Sequence, residues 1–204
     1  MNNISFTFTE TGAEPVALTD AKDYLRIDTT NTSDDSLVTA LITSARTKAE
    51  KLINKSIIQK TVLMTMDYLP SMNSYMDMRY GNPILTPSGF RLKYGPIQSV
   101  TSIETTDDTN TTTLWSSSNY LVDISGQRIA YATQAVFPIS YQVINGVQVT
   151  YVAGYGDVNA LGIPGGIVQA VRHLVAHSYE NRETADAIPP IVCELLTPFM
   201  EVHI

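Results

Sequence analysis

Residues 33–68 read SDDSLVTALITSARTKAEKLINKSIIQKTVLMTMDY, and the hydrophobic period changes inside that stretch. Up to Asn54 the apolar positions Leu37, Val38, Leu41, Ile42, Ala45, Ala49, Leu52 and Ile53 recur at three and four residues. That is an apolar stripe lasting about five helical turns. Ser33 stands as a candidate N-cap ahead of Asp34 and Asp35, whose charges suit the positive end of a helix dipole. Asn54 is a candidate left-handed stop. From Lys60 to Tyr68 strand-forming residues take over, with no room for a second helix between. One chain must therefore pack a one-sided helix and a run of strands.

Working outward, the same alternation of regimes holds. Towards the N-terminus, Thr19 is a candidate cap, with Asp20 and Asp23 in the first turn of a short helix carrying Ala21, Tyr24 and Leu25. The polar run Asp28–Ser33 breaks it. Towards the C-terminus, short strands are expected at Phe90–Tyr94, Ser99–Ile103, Tyr120–Ile124, Gln127–Tyr131 and Gly146–Val152, with Val147, Val149 and Tyr151 on one face. Turn residues such as Gly95-Pro96 and Ser125-Gly126 separate them, and the Thr-rich stretch 105–113 reads as a hairpin loop. After Pro164 the helical period returns through Ile167, Val168, Val171, Leu174, Val175 and Tyr179. Pro189-Pro190 opens a last short helix that Pro198 stops.

The order helices, strands, helices predicts an α+β fold: a small α-helical bundle formed by the N- and C-terminal helices, with an inserted antiparallel β lobe. Helix 33–54 is expected to pack on helix 164–181. On this reading residues 1–56 plus 157–204 form the helical core, and residues 57–156 form a β-rich sandwich or barrel.

Composition narrows the function. The 204 residues hold 13 Lys+Arg against 20 Asp+Glu, a net charge of -7, which lacks the footprint of a protein that grips phosphate backbones. Charged residues are only 16%, with Thr, Ser and Asn filling the gap, as suits strands and surfaces destined to be covered by other chains. The lone Cys193 cannot make an internal disulfide, pointing to a reducing compartment. No run of apolar residues is long enough for a membrane helix, and the N-terminal residues do not resemble a signal peptide.

Few residues suggest chemistry. His173, His177 and Glu180 share one face of the third helix at spacings of four and three, as metal ligands would. The residue after the first His is Leu174, so the base of the zinc-protease pattern is missing, and the two His also fit the flank of an amphipathic helix. Cys193 sits in an apolar stripe, the setting of an inert thiol. Gly154-Tyr-Gly156 and Gly162-Ile-Pro-Gly-Gly166 precede a helix but lack the Lys of a phosphate-binding loop and read as a connector. No catalytic residue, cofactor site or metal centre is assigned, and the chain is not expected to be an enzyme. The tail is unusually apolar, and Pro198, Phe199, Met200, Val202 and Ile204 either fold back on their own core or dock into a partner.

Three stretches carry a family resemblance. They are Glu14-Pro-Val-Ala-Leu-Thr-Asp-Ala-Lys-Asp-Tyr-Leu-Arg-Ile-Asp28 with Asp34–Arg46, Gly95-Pro-Ile-Gln-Ser-Val-Thr-Ser-Ile103, and Val149–Gly156 followed by Pro164 and His177-Ser-Tyr-Glu-Asn-Arg-Glu183. In this order they resemble tailed-phage head–tail connector proteins (adaptor, or head-completion) of the HK97-connector type, in the longer subgroup with a β insertion. Tyr179, Glu180, Asn181 and Arg182 match the family's ending, while Ser178 replaces its usual aromatic. The resemblance implies a virion neck protein made in the host cytoplasm. It implies a ring, typically of twelve copies, beneath the portal protein, which extends the DNA channel and presents a platform for stopper or tail proteins. Packaged double-stranded DNA would pass without specific binding, and no membrane is involved. Another virion component, such as a tail-completion protein, is the alternative, and a metal-binding enzyme built on His173, His177 and Glu180 a remoter one. An acidic surface suits a conduit wall, because a wall should not bind what slides past it.

Overall fold

The computed structural model describes residues 3–70, 75–76, 83–84, 89–138, 141–156, 162–181 and 187–200. The chain divides into two units, one of Thr11–Gln59 with Gly154–Ile204 and one of Met1–Glu10 with Lys60–Ala153.

The first unit is helical, with α1 (Leu18–Leu25), α2 (Asp35–Ile53), α3 (Gly165–Glu180) and α4 (Pro190–Leu196). The apolar stripe of α2 is buried through Val38, Ile42, Ala45, Ala49 and Ile53, and it meets Ile167, Val171, Leu174 and Val175 of α3 and Val192 and Leu196 of α4. Each such Val, Leu or Ile side chain contributes roughly 1.5–3 kcal/mol on leaving water, so neither long helix has a stable solution without the other. Helix α2 stops where Asn54 turns left-handed (φ 56°), as its sequence suggests, and α1 stops the same way at Arg26 (φ 58°).

The helix starts differ from expectation. Thr19 lies inside α1, which begins after Ala17, and Ser33 precedes the true cap position, Asp34. Neither cap residue bonds its helix with its side chain. The two carboxylates at the start of α2 are engaged by other segments, Asp34 by the Tyr179 hydroxyl and Asp35 by Lys22. Pro164 likewise occupies the cap position of α3, one residue before its first turn.

The second unit is built from antiparallel strands. One sheet runs β1 (Ile4–Glu10), β2 (Lys60–Met66), β10 (Val147–Ala153), β6 (Ile97–Thr106), β7 (Thr112–Leu114). A second holds β5 (Gly89–Arg91), β9 (Arg128–Tyr131) and β8 (Tyr120–Asp123), and β3 (Tyr75–Met76) pairs with β4 (Pro83–Ile84). Strands β2 and β10 alternate buried and half-buried residues along their whole length, so Val147, Val149 and Tyr151 do share the inner face. Val62, Met64 and Met66 of the larger sheet, Ile129 and Tyr131 of the smaller, and Leu92 just after β5 belong to one core. The five-stranded sheet ends at β1 and β7 rather than closing, which selects the sandwich over the barrel.

One assignment is corrected. The first residues, expected with the helices, form β1, whose register runs from Ile4 opposite Met66 to Glu10 opposite Lys60. The Thr-rich stretch does turn a hairpin, but its threonines extend both strands, with Thr105 opposite Thr113 and Thr106 opposite Thr112.

Candidate assembly surface

Two cations are buried in the helical unit. Lys22, only 3% exposed, donates to the Thr29 carbonyl (3.0 Å), the Asn31 carbonyl (2.6 Å) and Asp35 Oδ1 (2.7 Å). It thereby satisfies a loop that has no regular structure of its own and ties it to the start of α2. Arg46, 1% exposed, pairs through Nε with Glu14 (2.9 Å) and through Nη1 with Glu50 (3.0 Å). Glu50 also accepts the Ile57 amide at 2.8 Å, which fastens the chain leaving α2. A buried charge is tolerated when its partners are in place and costs several kcal/mol when one is missing. Tyr179 closes the set by donating to Asp34 Oδ2 at 2.7 Å, joining the end of α3 to the start of α2.

The weak metal-ligand candidates His173, His177 and Glu180 are not brought together. Among the described residues no three His, Cys, Asp or Glu side chains gather in a way that would hold a metal ion. His173 Nδ1 lies 3.2 Å from the Tyr24 hydroxyl, and His177 Nδ1 lies 3.3 Å from Asn181 Nδ2. Glu180 is exposed. Asn181 bonds the His177 carbonyl with both its amide N–H and its side chain, ending α3. Arg182 lies outside the described residues. Cys193 is half-buried rather than fully buried in its stripe.

The tail divides. Phe199 and Met200 pack against the helical core, and Gly166 is bare where Phe199 lies, since a Cβ there would stand 3.0 Å from the Phe199 ring. Pro198 is exposed within the turn Thr197–Phe199. Val202 and Ile204 lie outside the described residues.

Among the described residues, the β unit holds most of the exposed large apolar side chains. Leu114 (68% exposed), Leu121 (67%), Val136 (73%) and Val143 (87%) are all there, against Leu37 and Ile191 at 37% and 44% on the helices. The second unit also orders its polar groups differently. Tyr131 and Tyr151 donate to the Pro70 and Lys93 carbonyls (2.9 Å each), and Trp115 Nε1 donates to the Val136 carbonyl (2.8 Å). Burial pushes the hydroxyls of Tyr131 and Tyr151 well above the usual tyrosine range, and that of Tyr141 up to about 12. Among the described residues no helix is long and apolar enough to cross a membrane.

Among the described residues the arrangement offers surfaces and structural ion pairs. Sequence comparison agrees in kind, because residues 16–188 match the family described as head completion protein. The chain belongs to the head completion protein family. No curated protein matches it in sequence. Among the solved structures that share its fold are three in which the alignment covers 97% of both chains. A chain in the neck of an empty GTA particle, computed with C6 symmetry, is 23% identical with a TM-score of 0.65. A chain in the virion of a native gene transfer agent (GTA) particle is 21% identical at 0.65. A third, in the neck of a native GTA particle computed with C12 symmetry, is 21% identical at 0.63.

For this head completion protein, the sequence motifs take on a physical meaning. Glu14, Lys22, Asp34, Asp35, Arg46 and Tyr179 all lie in the stretches that carry the family resemblance, and all belong to the ion pairs and hydrogen bonds above. The motifs encode how the helical unit holds its loops. Sequence reading missed the role of Lys22 and Arg46. The available signal was a charged residue at a position of the helix period that faces the core, directly after Ala21 and Ala45.

Proposed function

We propose that this chain is a structural component of the virion neck, a ring-forming connector that sits beneath the portal protein, extends the DNA channel and provides the platform for stopper or tail proteins. The observation that carries this reading is the family match over residues 16–188, joined to a fold shared along 97% of its length with chains of phage-like necks. The ring would hold twelve copies, in keeping with the C12 symmetry used for one of those necks. The helical unit serves as the ring's core and the β unit as its inserted lobe. Packaged double-stranded DNA slides past an acidic wall, and the net charge of -7 favours that passage. The protein is made and assembled in the host cytoplasm and resides in the neck between head and tail.

Pro198 and the residues after Met200 are the portion of the tail that grips the portal or a neighbour, while Phe199 and Met200 anchor that segment to its own helices. Truncation after Met200 should therefore leave a folded protein that no longer binds the portal, and retained binding sinks this assignment. The neck reading is tested by electron cryo-microscopy of particles made without the protein. Full heads lacking tails are expected. Tailed particles of ordinary composition would refute it.

A further inference from the structure

Most charged groups of the described residues are answered within the chain. The cations Lys22, Arg46, Lys60, Arg128 and Arg172 lie in ion pairs. Asp28, Asp107 and Asp123 accept hydrogen bonds from their own turns. Lys51 sits in the last turn of α2, where the helix dipole favours it, and half-buried Lys55 follows just past the helix end. Besides the exposed Arg26, Glu180 and Glu194, two clusters of opposite sign remain, each beside one member of an ion pair already named: Arg91 and Lys93 beside Arg128, and Asp23 beside Asp20.

The positive cluster lies on the outer face of the three-stranded sheet. Arg91 stands directly across from Arg128, which in turn stands across from Asp123. Arg128 Nε is held by Asp123 at 2.8 Å, but Arg91 has no partner among the described residues, and neither has exposed Lys93 two residues on. Like charges facing each other across a strand pair weaken a sheet, so the arrangement opposes the stability of the isolated chain. Beside the two guanidinium groups the surface dips into a depression of about 200 Å³ lined also by Gly89 and Ala130. Its floor is bare by necessity, because a Cβ on Gly89 would meet the Ile129 carbonyl oxygen. The depression can admit a short acidic side chain, and two forks can grip its carboxylate.

The negative cluster lies on α1. Asp20 and Asp23, three residues apart on one helical face, are exposed and border a 270 Å³ depression with Tyr24 and Arg172. Asp20 reaches Arg172 only at 3.7 Å, and the Asp23 carboxylate has no partner among the described residues. Tyr24 adds an aromatic face for a cation.

We propose that Arg91, Lys93 and Arg128 form a carboxylate-binding surface whose occupant is the Asp20–Asp23 face of α1 in the neighbouring copy of this chain. This deepens the neck reading and rests on it. A ring is closed by a heterologous contact, which requires two different faces on each subunit, and complementary charge is what the two faces display. A nucleic acid is the lesser fit, because three cations on a chain of net charge -7 give little hold on a phosphate backbone.

The test is reciprocal charge reversal read in purified particles. Arg91→Glu with Lys93→Glu, and separately Asp20→Lys with Asp23→Lys, should each lower incorporation of the chain by about tenfold or more. All four changes in one chain should restore it. Double variants that incorporate like the wild type, or a fourfold variant no better than the doubles, overturn the proposal. So do normal rings that fail only to retain DNA, since the occupant is then nucleic acid. A folding control separates a structural role: Arg91→Thr should leave the melting temperature of the isolated protein unchanged or higher, and a clear drop counts against the surface. Absence of the wild-type chain from particles would bring down the neck reading itself, whereas normal incorporation of the variants brings down only this contact.

Discussion

The helical unit and the β unit solve the same problem, polar groups inside a small core, with different chemistry. The helices bury full charges: Lys22 with Asp35, and Arg46 between Glu14 and Glu50. The strands bury mainly neutral donors, Tyr131, Tyr151 and Trp115, each aimed at one backbone carbonyl, and their buried cation Lys60 sits at the end of β2, paired with the exposed Glu10. The contrast follows from the backbone. A sheet satisfies its own N–H and C=O groups along its ladders, and a single hydroxyl or indole answers each stray carbonyl. Helices joined by irregular loops leave several carbonyls and amides to be answered, and charged groups with several hydrogen-bonding sites answer them, Lys22 at Thr29 and Asn31 and Glu50 at Ile57.

The largest way to break the contrast is to remove one charge from the helical core. Arg46→Ala leaves Glu14 and Glu50 facing each other without their cation and should cost about 3–5 kcal/mol. The loss should be confined to helical signal. Trp115, the single tryptophan, lies in the β unit stacked on Tyr120 at 5.5 Å, so its fluorescence reports the strands while far-ultraviolet circular dichroism is dominated by the helices. In urea the helical transition should move to much lower denaturant and the Trp115 transition move less. Equal shifts of both would show that the two units unfold as one.

A milder cut tests the neutral side. Tyr151→Phe deletes a hydroxyl bonded to the Lys93 carbonyl in a fully buried setting and should cost about 1–2 kcal/mol. Tyr179→Phe in the helical unit deletes a bond to the Asp34 carboxylate, which water can still reach, and should cost about 1 kcal/mol. The order of these two effects, measured as shifts in denaturation midpoint, separates burial from charge as the controlling variable.

Alkaline pH should also discriminate between the units. Burial raises the Tyr131, Tyr141 and Tyr151 hydroxyls, so the folded state favours their neutral forms. The stability they contribute is fully present below pH 10, the unfolded value, and falls as pH rises from there through the folded value of about 12 for Tyr141. All three lie in the β unit, and in the helical unit burial raises Tyr155. The Trp115 signal should therefore fail before the helical signal when pH is raised past 10, and Tyr151→Phe should flatten that slope.

Legibility in the sequence followed period more than composition. The α2 and α3 stripes and the alternation of β10 could be read directly, because a one-sided core forces one spacing on the apolar residues. Strand β1 was equally periodic, with Ile4, Phe6 and Phe8 alternating with Ser5, Thr7 and Thr9, yet its position ahead of the first helix suggested the wrong unit. Its partner, β2, lies 50 or more residues away, and no local signal names a long-range partner. The start of α2 misled for a related reason: Ser33 looks like the cap, but Asp34 holds that position, and Tyr179 and Lys22 claim the Asp34 and Asp35 carboxylates from elsewhere in the chain. Facing surfaces such as Arg91 and Arg128 depend on register between strands, which the sequence does not print.

Acid offers the smallest effect and removes the asymmetry that alkali exposes. Hydrogen bonds from Thr30 hold the Asp28 carboxylate below its usual range in the helical unit. Those from Thr109 and Thr111 do the same for Asp107 in the β unit, and that from the Gly126 amide, helped by Arg128, for Asp123. A depressed carboxylate contributes stability above its unfolded value and loses it as pH falls through the folded one. Both units should therefore weaken together below about pH 4, by little, because these groups are open to water. Replacing the charge and keeping the acceptor isolates each one: Asp28→Asn should flatten the acid slope of the helical signal alone, and Asp107→Asn that of the Trp115 signal alone. If either change flattens both slopes, the acid response belongs to a contact shared by the units, and the division of labour between charged helices and neutral strands would hold only at neutral pH.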